Sequence, residues 1–240
     1  MNTLANKTLS VLTATGLALA VAMGAAAPAH AALIDFTDGS PGDSIANPFS
    51  GSVVGVGYEV TASDAFGTDG VNQSVCQGHN PALACGRDGL GVGDDEISGS
   101  KNTAEWIKIA FDTAVPVTEF YVLDLFWAND GNGNPLNPHE IGRYTLTYAD
   151  DSTSIGSFAA ANTEVVGTSD VGYLAVAINQ SVKAIEWSYV GDFNDVQGVG
   201  DYAVAGVAVA PLPAAAWFML TALGGLVGGR WLRKAPATAA

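Results

Sequence analysis

The sequence predicts an all-β fold, an antiparallel β-sandwich of jelly-roll type, for the body of the chain from 32 to 209. Period-two alternation of apolar and polar residues recurs in this body, and no long segment has helical periodicity. Clusters of Gly, Asn, Asp and Ser separate the alternating segments. Many short strands with turns between them are typical of a sandwich, and a body of this length can bury a core in one domain.

The strand predictions rest on segments whose apolar residues share one face. In RYTLTYA, Tyr144, Leu146 and Tyr148 alternate with polar residues, and EWIKIAF alternates in the same way. The following ADDSTS predicts a hairpin turn after Tyr148. The remaining predicted strands are VPVTEFYVLDLFW, YLAVAI, KAIEWSYV and YAVAGVAV.

The N-terminus, residues 1–31, has the order of a cleaved signal peptide. Lys7 precedes an apolar stretch from Leu9 to Ala22, and Ala29-His30-Ala31 supplies the small residues that signal peptidase needs. We therefore expect cleavage after Ala31 and export to a compartment that permits disulfides. A retained membrane anchor is the alternative.

Cys76 and Cys85 bracket the segment CQGHNPALAC. Two cysteines in an exported chain predict a disulfide, which stabilises by roughly 2–3 kcal/mol for a loop of this length. A metal site of Cys76, His79 and Cys85 is the alternative, although such sites usually contain closer cysteine pairs.

The charge distribution excludes one class of partner. The chain carries a net charge of -15, and all 24 acidic residues lie between Ala32 and Ala210. Such a surface repels nucleic acid.

Nucleophile-elbow, zincin and P-loop motifs are absent from the sequence, so we predict a non-enzymatic protein. Abundant carboxylates leave a secreted polysaccharide hydrolase open as an alternative.

Calcium is the candidate cofactor, because carboxylate and amide oxygens recur in three Gly-rich loops. The alternative is turn formation, which the same residue types favour. The candidate ligands are Asp94, Asp95 and Glu96 in GVGDDEISG; Asp130, Asn132 and Asn134 in NDGNGN; and Asp192, Asn194, Asp195 and Asp201 in GDFNDVQGVGDY.

Tryptophans on strands could stack on sugar rings, which makes a calcium-stabilised carbohydrate-binding module a further alternative. Trp127 is the main candidate because an Asn/Gly loop follows it directly, whereas Trp106 and Trp187 are weaker candidates. Core packing is the commoner explanation of a strand tryptophan.

The C-terminus predicts a single transmembrane helix. The apolar stretch from Leu212 to Gly229 would span about 27 Å as a helix, close to the thickness of a bilayer core. The basic residues Arg230, Arg233 and Lys234 follow it and should stay cytoplasmic, which places the body on the other side. A permanent tail anchor is the alternative.

The order of motif, apolar helix and basic end resembles a VPLPA-CTERM sorting signal, a variant of the PEP-CTERM signal of Gram-negative bacteria. The motif falls on Pro211, Leu212, Pro213 and Ala214, with Ala210 where Val is usual. The body, through GLGVGDDEISG and the final GDYAVAGVAV, is loosely similar to the β-sandwich domains that often precede such signals.

This resemblance implies that an exosortase-type membrane transpeptidase recognises the signal in 210–240 and cuts near its two prolines. The body of the chain would then be released to the cell surface or the extracellular matrix, where polysaccharide is the expected partner. Prolines keep the motif extended, as a protease cleft requires.

Overall fold

The computed structural model describes residues 31–40, 42–93, 96–100, 103–127, 140–161, 170–189 and 201–210, all within the compact unit His30–Leu212. Apart from Ala31 and Ala210, the predicted signal peptide over 1–31 and the predicted sorting signal over 210–240 lie outside these residues. Within them, no helix has the length and apolar character that a membrane span requires.

The described residues form a predominantly antiparallel β fold with one short helix, which confirms the all-β prediction. The elements are β1 (Ala32–Asp35), β2 (Phe49–Val53), β3 (Val56–Ala62), β4 (Phe66–Gly67), α1 (Gln73–His79), β5 (Gly91–Val92), β6 (Gly99–Ser100), β7 (Thr103–Ala104), β8 (Trp106–Leu123), β9 (Ile141–Thr147), β10 (Thr153–Ala159), β11 (Leu174–Tyr189) and β12 (Ala203–Val209).

Eight of the strands form one antiparallel sheet. Its order is β1-β12-β8-β11-β9-β10, and the β2–β3 hairpin joins it through pairing of β3 with β8. The other four described strands pair as β4 with β5 and β6 with β7. The predicted hairpin turn joins β9 to β10, where Tyr148 N donates to Ser152 O at 2.9 Å.

Two long strands, β8 and β11, run through both halves of this sheet. Each unites two segments that the sequence predicted as separate strands. The first half of β8 pairs with β3, with Phe111 opposite Tyr58, and its second half pairs with β12, with Leu123 opposite Ala203. The pairing of β8 with β11 shifts register between Val182 and Ala184, which marks a β-bulge.

The sheet folds back on itself, because residues far apart along β8 and β11 touch. Trp187 lies opposite Ile107 in the β8–β11 ladder, so a straight strand would place Phe120 roughly 40 Å away. The ring centroids of Phe120 and Trp187 are nevertheless 5.6 Å apart. Phe158 and Tyr202 make a similar contact at 5.1 Å. The two halves therefore face each other in a sandwich-like arrangement.

Alternation along β8 divides its side chains between two hydrophobic clusters. Phe120 and Val122 belong to the main core between the two halves of the sheet. Tyr121 and Leu123 point to the other face, where they join a smaller cluster. The other buried members of this second cluster are Cys76, Leu83, Cys85, Val171, Ala205 and Ala208.

Three glycines in the sheet lie opposite aromatic residues whose rings cover them. A Cβ at any of these glycines would overlap the ring, so the missing side chain makes room for the aromatic. The pairs are Gly51 with Tyr58, Gly142 with Phe158, and Gly156 with Tyr144.

Candidate functional site

The predicted disulfide is confirmed, and it holds α1 against the second cluster. Cys76 and Cys85 are bonded, both are buried, and their Cα atoms are 6.1 Å apart. The loop is also tied to the end of β1, because Ala84 N donates to Asp35 Oδ2 at 2.7 Å and Cys85 N donates to Thr37 Oγ1 at 2.8 Å. The bond removes the thiolates that a metal site at these residues would need.

His79, in the last turn of α1, begins an aromatic stack on the outer face of the sheet. Its ring stacks on Tyr173 at 5.2 Å, and Tyr173 stacks on Tyr121 at 6.1 Å. His79 Nε2 lies 3.1 Å from Asp170 Oδ1. Tyr121 donates its hydroxyl proton to Glu119 at 2.7 Å. Burial, followed by the bond to Glu119, raises the pKa of Tyr121 far above its ordinary value, so the hydroxyl remains a donor.

A cleft with a volume of about 490 Å³ opens between the end of β1, the β2–β3 hairpin and the segment after the disulfide. This volume lies within the range of roughly 300–1,000 Å³ that is usual for small-molecule sites. The lining combines apolar and aromatic residues with three carboxylates and one guanidinium. The lining residues are Asp35, Phe36, Asp38, Gly39, Asp43, Ser44, Ile45, Phe49, Tyr58, Arg87 and Leu90.

Backbone carbonyls fix the guanidinium of Arg87 in this cleft. Nε donates to Phe36 O at 3.0 Å, and Nη2 donates to Asp38 O at 2.5 Å. Gly39 makes the position possible: its φ is 135°, and a Cβ there would lie 2.9 Å from Arg87 Cζ. Nη1 is buried without a hydrogen-bond partner among the described residues. Among the described residues, no carboxylate lies within 4 Å of the Arg87 guanidinium.

The acidic residues of the cleft differ in how many hydrogen bonds their carboxylates already accept from the rest of the protein. Both oxygens of Asp35 are already engaged by the fold, because Oδ1 accepts from Thr37 N and Thr37 Oγ1 and Oδ2 accepts from Ala84 N. Asp43 accepts one bond from Ser40 N at 2.7 Å through Oδ2. The Asp38 side chain is exposed and makes no hydrogen bond within the described ranges. Asp38 and Asp43 are therefore available to a ligand.

Glu140 is a buried carboxyl that the sequence did not single out. It precedes β9, accepts a hydrogen bond from Phe126 N–H, and is 9% exposed. The pKa of Glu140 is raised to about 8, mainly by burial. The hydrogen bond from Phe126 N–H lowers the pKa, and the nearby charges of Asp201 and Asp124 raise it. No periodic pattern or motif in the sequence marks this residue.

The calcium candidates are only partly covered by the described residues. Glu96 and Asp201 come from two different predicted loops, and their neighbours Ile97 and Tyr202 share a backbone hydrogen bond of 2.8 Å. In the described part of the chain, no group of three or more His, Cys, Asp or Glu side chains has metal-binding geometry. Outside this part lie Asp94, Asp95, Asp130, Asn132, Asn134, Asp192, Asn194 and Asp195.

The tryptophans lie nearer the core than a flat sugar-binding surface would require. Trp127 is half-buried and packs against the main core. Trp106, at the start of β8, is also half-buried. Trp187 is completely buried, and its indole Nε1 has no hydrogen-bond partner among the described residues.

Comparison with known proteins gives no family. No protein-family model matches the chain, and no curated protein matches it. Among solved structures it is similar to the C-terminal domain of a chitobiase from Bacteroides fragilis, with 18% identity over 48% of this chain and 67% of the other. The TM-score is 0.27, which does not establish a shared fold.

Proposed function

We propose that this chain is the precursor of an exported, non-enzymatic protein of the cell surface or extracellular matrix. The disulfide between Cys76 and Cys85 is the observation that carries this proposal, because such bonds form and persist in oxidising compartments. Both cysteines are buried in a cluster that fastens α1 to the sheet. The bond is therefore part of the fold, which supports folding outside the cytoplasm.

The two ends of the sequence suggest how the protein would be exported and sorted. A signal peptide over 1–31 directs export and is removed by signal peptidase. A transmembrane helix within 210–240 then tethers the jelly-roll-like body, and an exosortase-type transpeptidase cuts at the motif from Pro211 to Ala214. The support for this route is the adjacency of motif, apolar segment and basic end in the sequence.

The environment of His79 favours a structural role over a catalytic one. Its ring is held between Asp170 and Tyr173, and the stack continues to the buried Tyr121. Cys76, the nucleophile that His79 could have activated, is in the disulfide. These contacts support a protein that acts by binding or by its presence at the surface.

Processing of proline variants tests the proposal. The full chain is expressed in a host that has its own exosortase, and its size in membrane and medium is followed with time. We expect Pro211→Ala with Pro213→Ala to leave full-length protein in the membrane. Pro236→Ala, which lies beyond the basic residues, is the matched control and should be processed normally. Normal processing of the double variant would contradict the proposal.

A further inference from the structure

The geometry points to the Arg87 cleft as a binding site for neutral saccharides. This inference does not depend on C-terminal processing, because the cleft lies within the folded body. It also differs from the tryptophan surface that the sequence suggested, since no tryptophan is among the described residues that line the cleft.

The aromatic residues of the lining fit the carbon face of a sugar ring. Phe49 is half-buried and meets Phe36 edge-on at 6.2 Å and Phe66 edge-on at 5.4 Å, so its ring is held in place. Tyr58 covers Gly51 and meets Phe111 edge-on at 6.4 Å. Fixed aromatic rings offer apolar area at little entropic cost, and the Tyr58 hydroxyl, free of hydrogen bonds to the described residues, adds a polar end.

The polar residues of the lining fit hydroxyl groups. A sugar hydroxyl both donates and accepts, so it needs acceptors and donors close together. Asp38 and the second oxygen of Asp43 can accept, and Arg87, which lines the cleft, can donate through the second hydrogen of Nη2. Because the backbone already fixes this guanidinium, a ligand bound to it does not have to order a flexible arginine.

The charges select a neutral ligand. Two available carboxylates oppose an anionic sugar, and the guanidinium, with no carboxylate pair among the described residues, opposes a bare metal ion. A polyhydroxylated neutral ring satisfies donors and acceptors of both signs without placing a like charge beside any of them. Neutral saccharides are thus the class that the whole lining accommodates.

The test uses the full chain, exported to a bacterial periplasm and purified in mild detergent. Short gluco-, manno- and galacto-oligosaccharides are screened beside oligomers of uronic acids and amino sugars, and the strongest neutral ligand is titrated by calorimetry. Asp38→Ala should weaken binding at least fivefold and leave the melting temperature unchanged, because this side chain makes no hydrogen bond to the described residues. Glu59→Gln is the matched control: it removes a charge next to Tyr58, on the opposite face of β3, and should bind like the unaltered chain.

Three results would overturn the inference. The first is no binding of any neutral oligosaccharide at millimolar concentration. The second is equal affinity of the Asp38→Ala and Glu59→Gln variants. The third is binding confined to charged sugars, or binding that a chelator abolishes while Asp38→Ala leaves it unchanged, which would assign it to a calcium loop.

Discussion

The rings of Phe120 and Trp187 meet edge-on, with 5.6 Å between their centroids and 80° between their planes. Both residues are completely buried. Phe120 comes from the half of β8 that pairs with β12, and Trp187 from the half of β11 that pairs with β9. Their contact therefore closes the two halves of the sheet over one core.

Truncation of Phe120 tests this closure. We expect Phe120→Ala to lower the free energy of unfolding by about 3–5 kcal/mol, because it leaves a cavity where Phe120 contacts Tyr144, Phe158 and Trp187. Chemical denaturation followed by tryptophan fluorescence measures the loss. Ile155→Ala is the control, since Ile155 is 69% exposed and should change stability by less than about 0.5 kcal/mol. Equal effects of both changes would contradict a core centred on Phe120.

Removal of the disulfide should weaken the fold without abolishing it. We expect the double change Cys76→Ala and Cys85→Ala to cost roughly 2–3 kcal/mol, because it frees a short loop in the unfolded chain. Denaturation of the unaltered chain with and without reductant provides the comparison. The reduced chain should match the double variant, and unchanged stability on reduction would speak against a structural disulfide.

The buried carboxyl of Glu140 predicts a pH dependence of stability. Its pKa is about 8 in the folded chain against 4.5 for an unperturbed group, so the unfolded chain loses this proton first as pH rises. The Glu140 contribution to stability is therefore complete below pH 4.5 and declines by up to about 1.4 kcal/mol per pH unit until pH reaches about 8.

Glu140→Gln removes this titration and should keep the acceptor for Phe126 N–H. The variant should gain stability over the unaltered chain as pH rises from 5 to 8 in chelator-containing buffer, with little difference at pH 4. Denaturant midpoints across this range provide the measurement. Parallel pH profiles of the two proteins would show that Glu140 titrates normally.

Calcium is expected to raise the melting temperature if the predicted loops bind it. Calcium at millimolar concentration should stabilise the full chain by preferential binding to the folded state, and magnesium should do so less. Asp95→Asn and Asp201→Asn should reduce the shift, whereas Asp112→Asn, an exposed carboxylate of β8 outside the loops, should not. A shift equal for both metals and all variants would reflect charge screening alone.

The sequence predicted strands in which apolar and polar residues alternate. β9 and β12 lie where period-two patterns placed them, and the turn after Tyr148 follows from its Asp and Ser residues. EWIKIAF and VPVTEFYVLDLFW were predicted as separate strands, whereas β8 runs through both and Pro116 pairs with Ser181 in the ladder. The helix α1 is too short, at seven residues, to show helical periodicity.

The cleft could not be predicted for a different reason. Most of its lining comes from non-periodic segments on either side of β2 and β3, which themselves contribute only Phe49 and Tyr58. Arg87 reaches the cleft only because the disulfide loop returns to the end of β1. Such a site depends on tertiary contacts between loops, which no local pattern encodes. The Cys76–Cys85 pair, by contrast, was predictable because the chain contains no other cysteine.

The mass of the C-terminal peptide tests the central claim most directly. The protein is recovered from outside the cytoplasm of a host with its own sorting enzymes, and its intact mass and C-terminal peptides are determined. The proposed route predicts an N-terminus at Ala32 and a chain that ends near Pro211–Ala214, without Arg230, Arg233 and Lys234. Accumulation of a chain that still ends at Ala240 would contradict it.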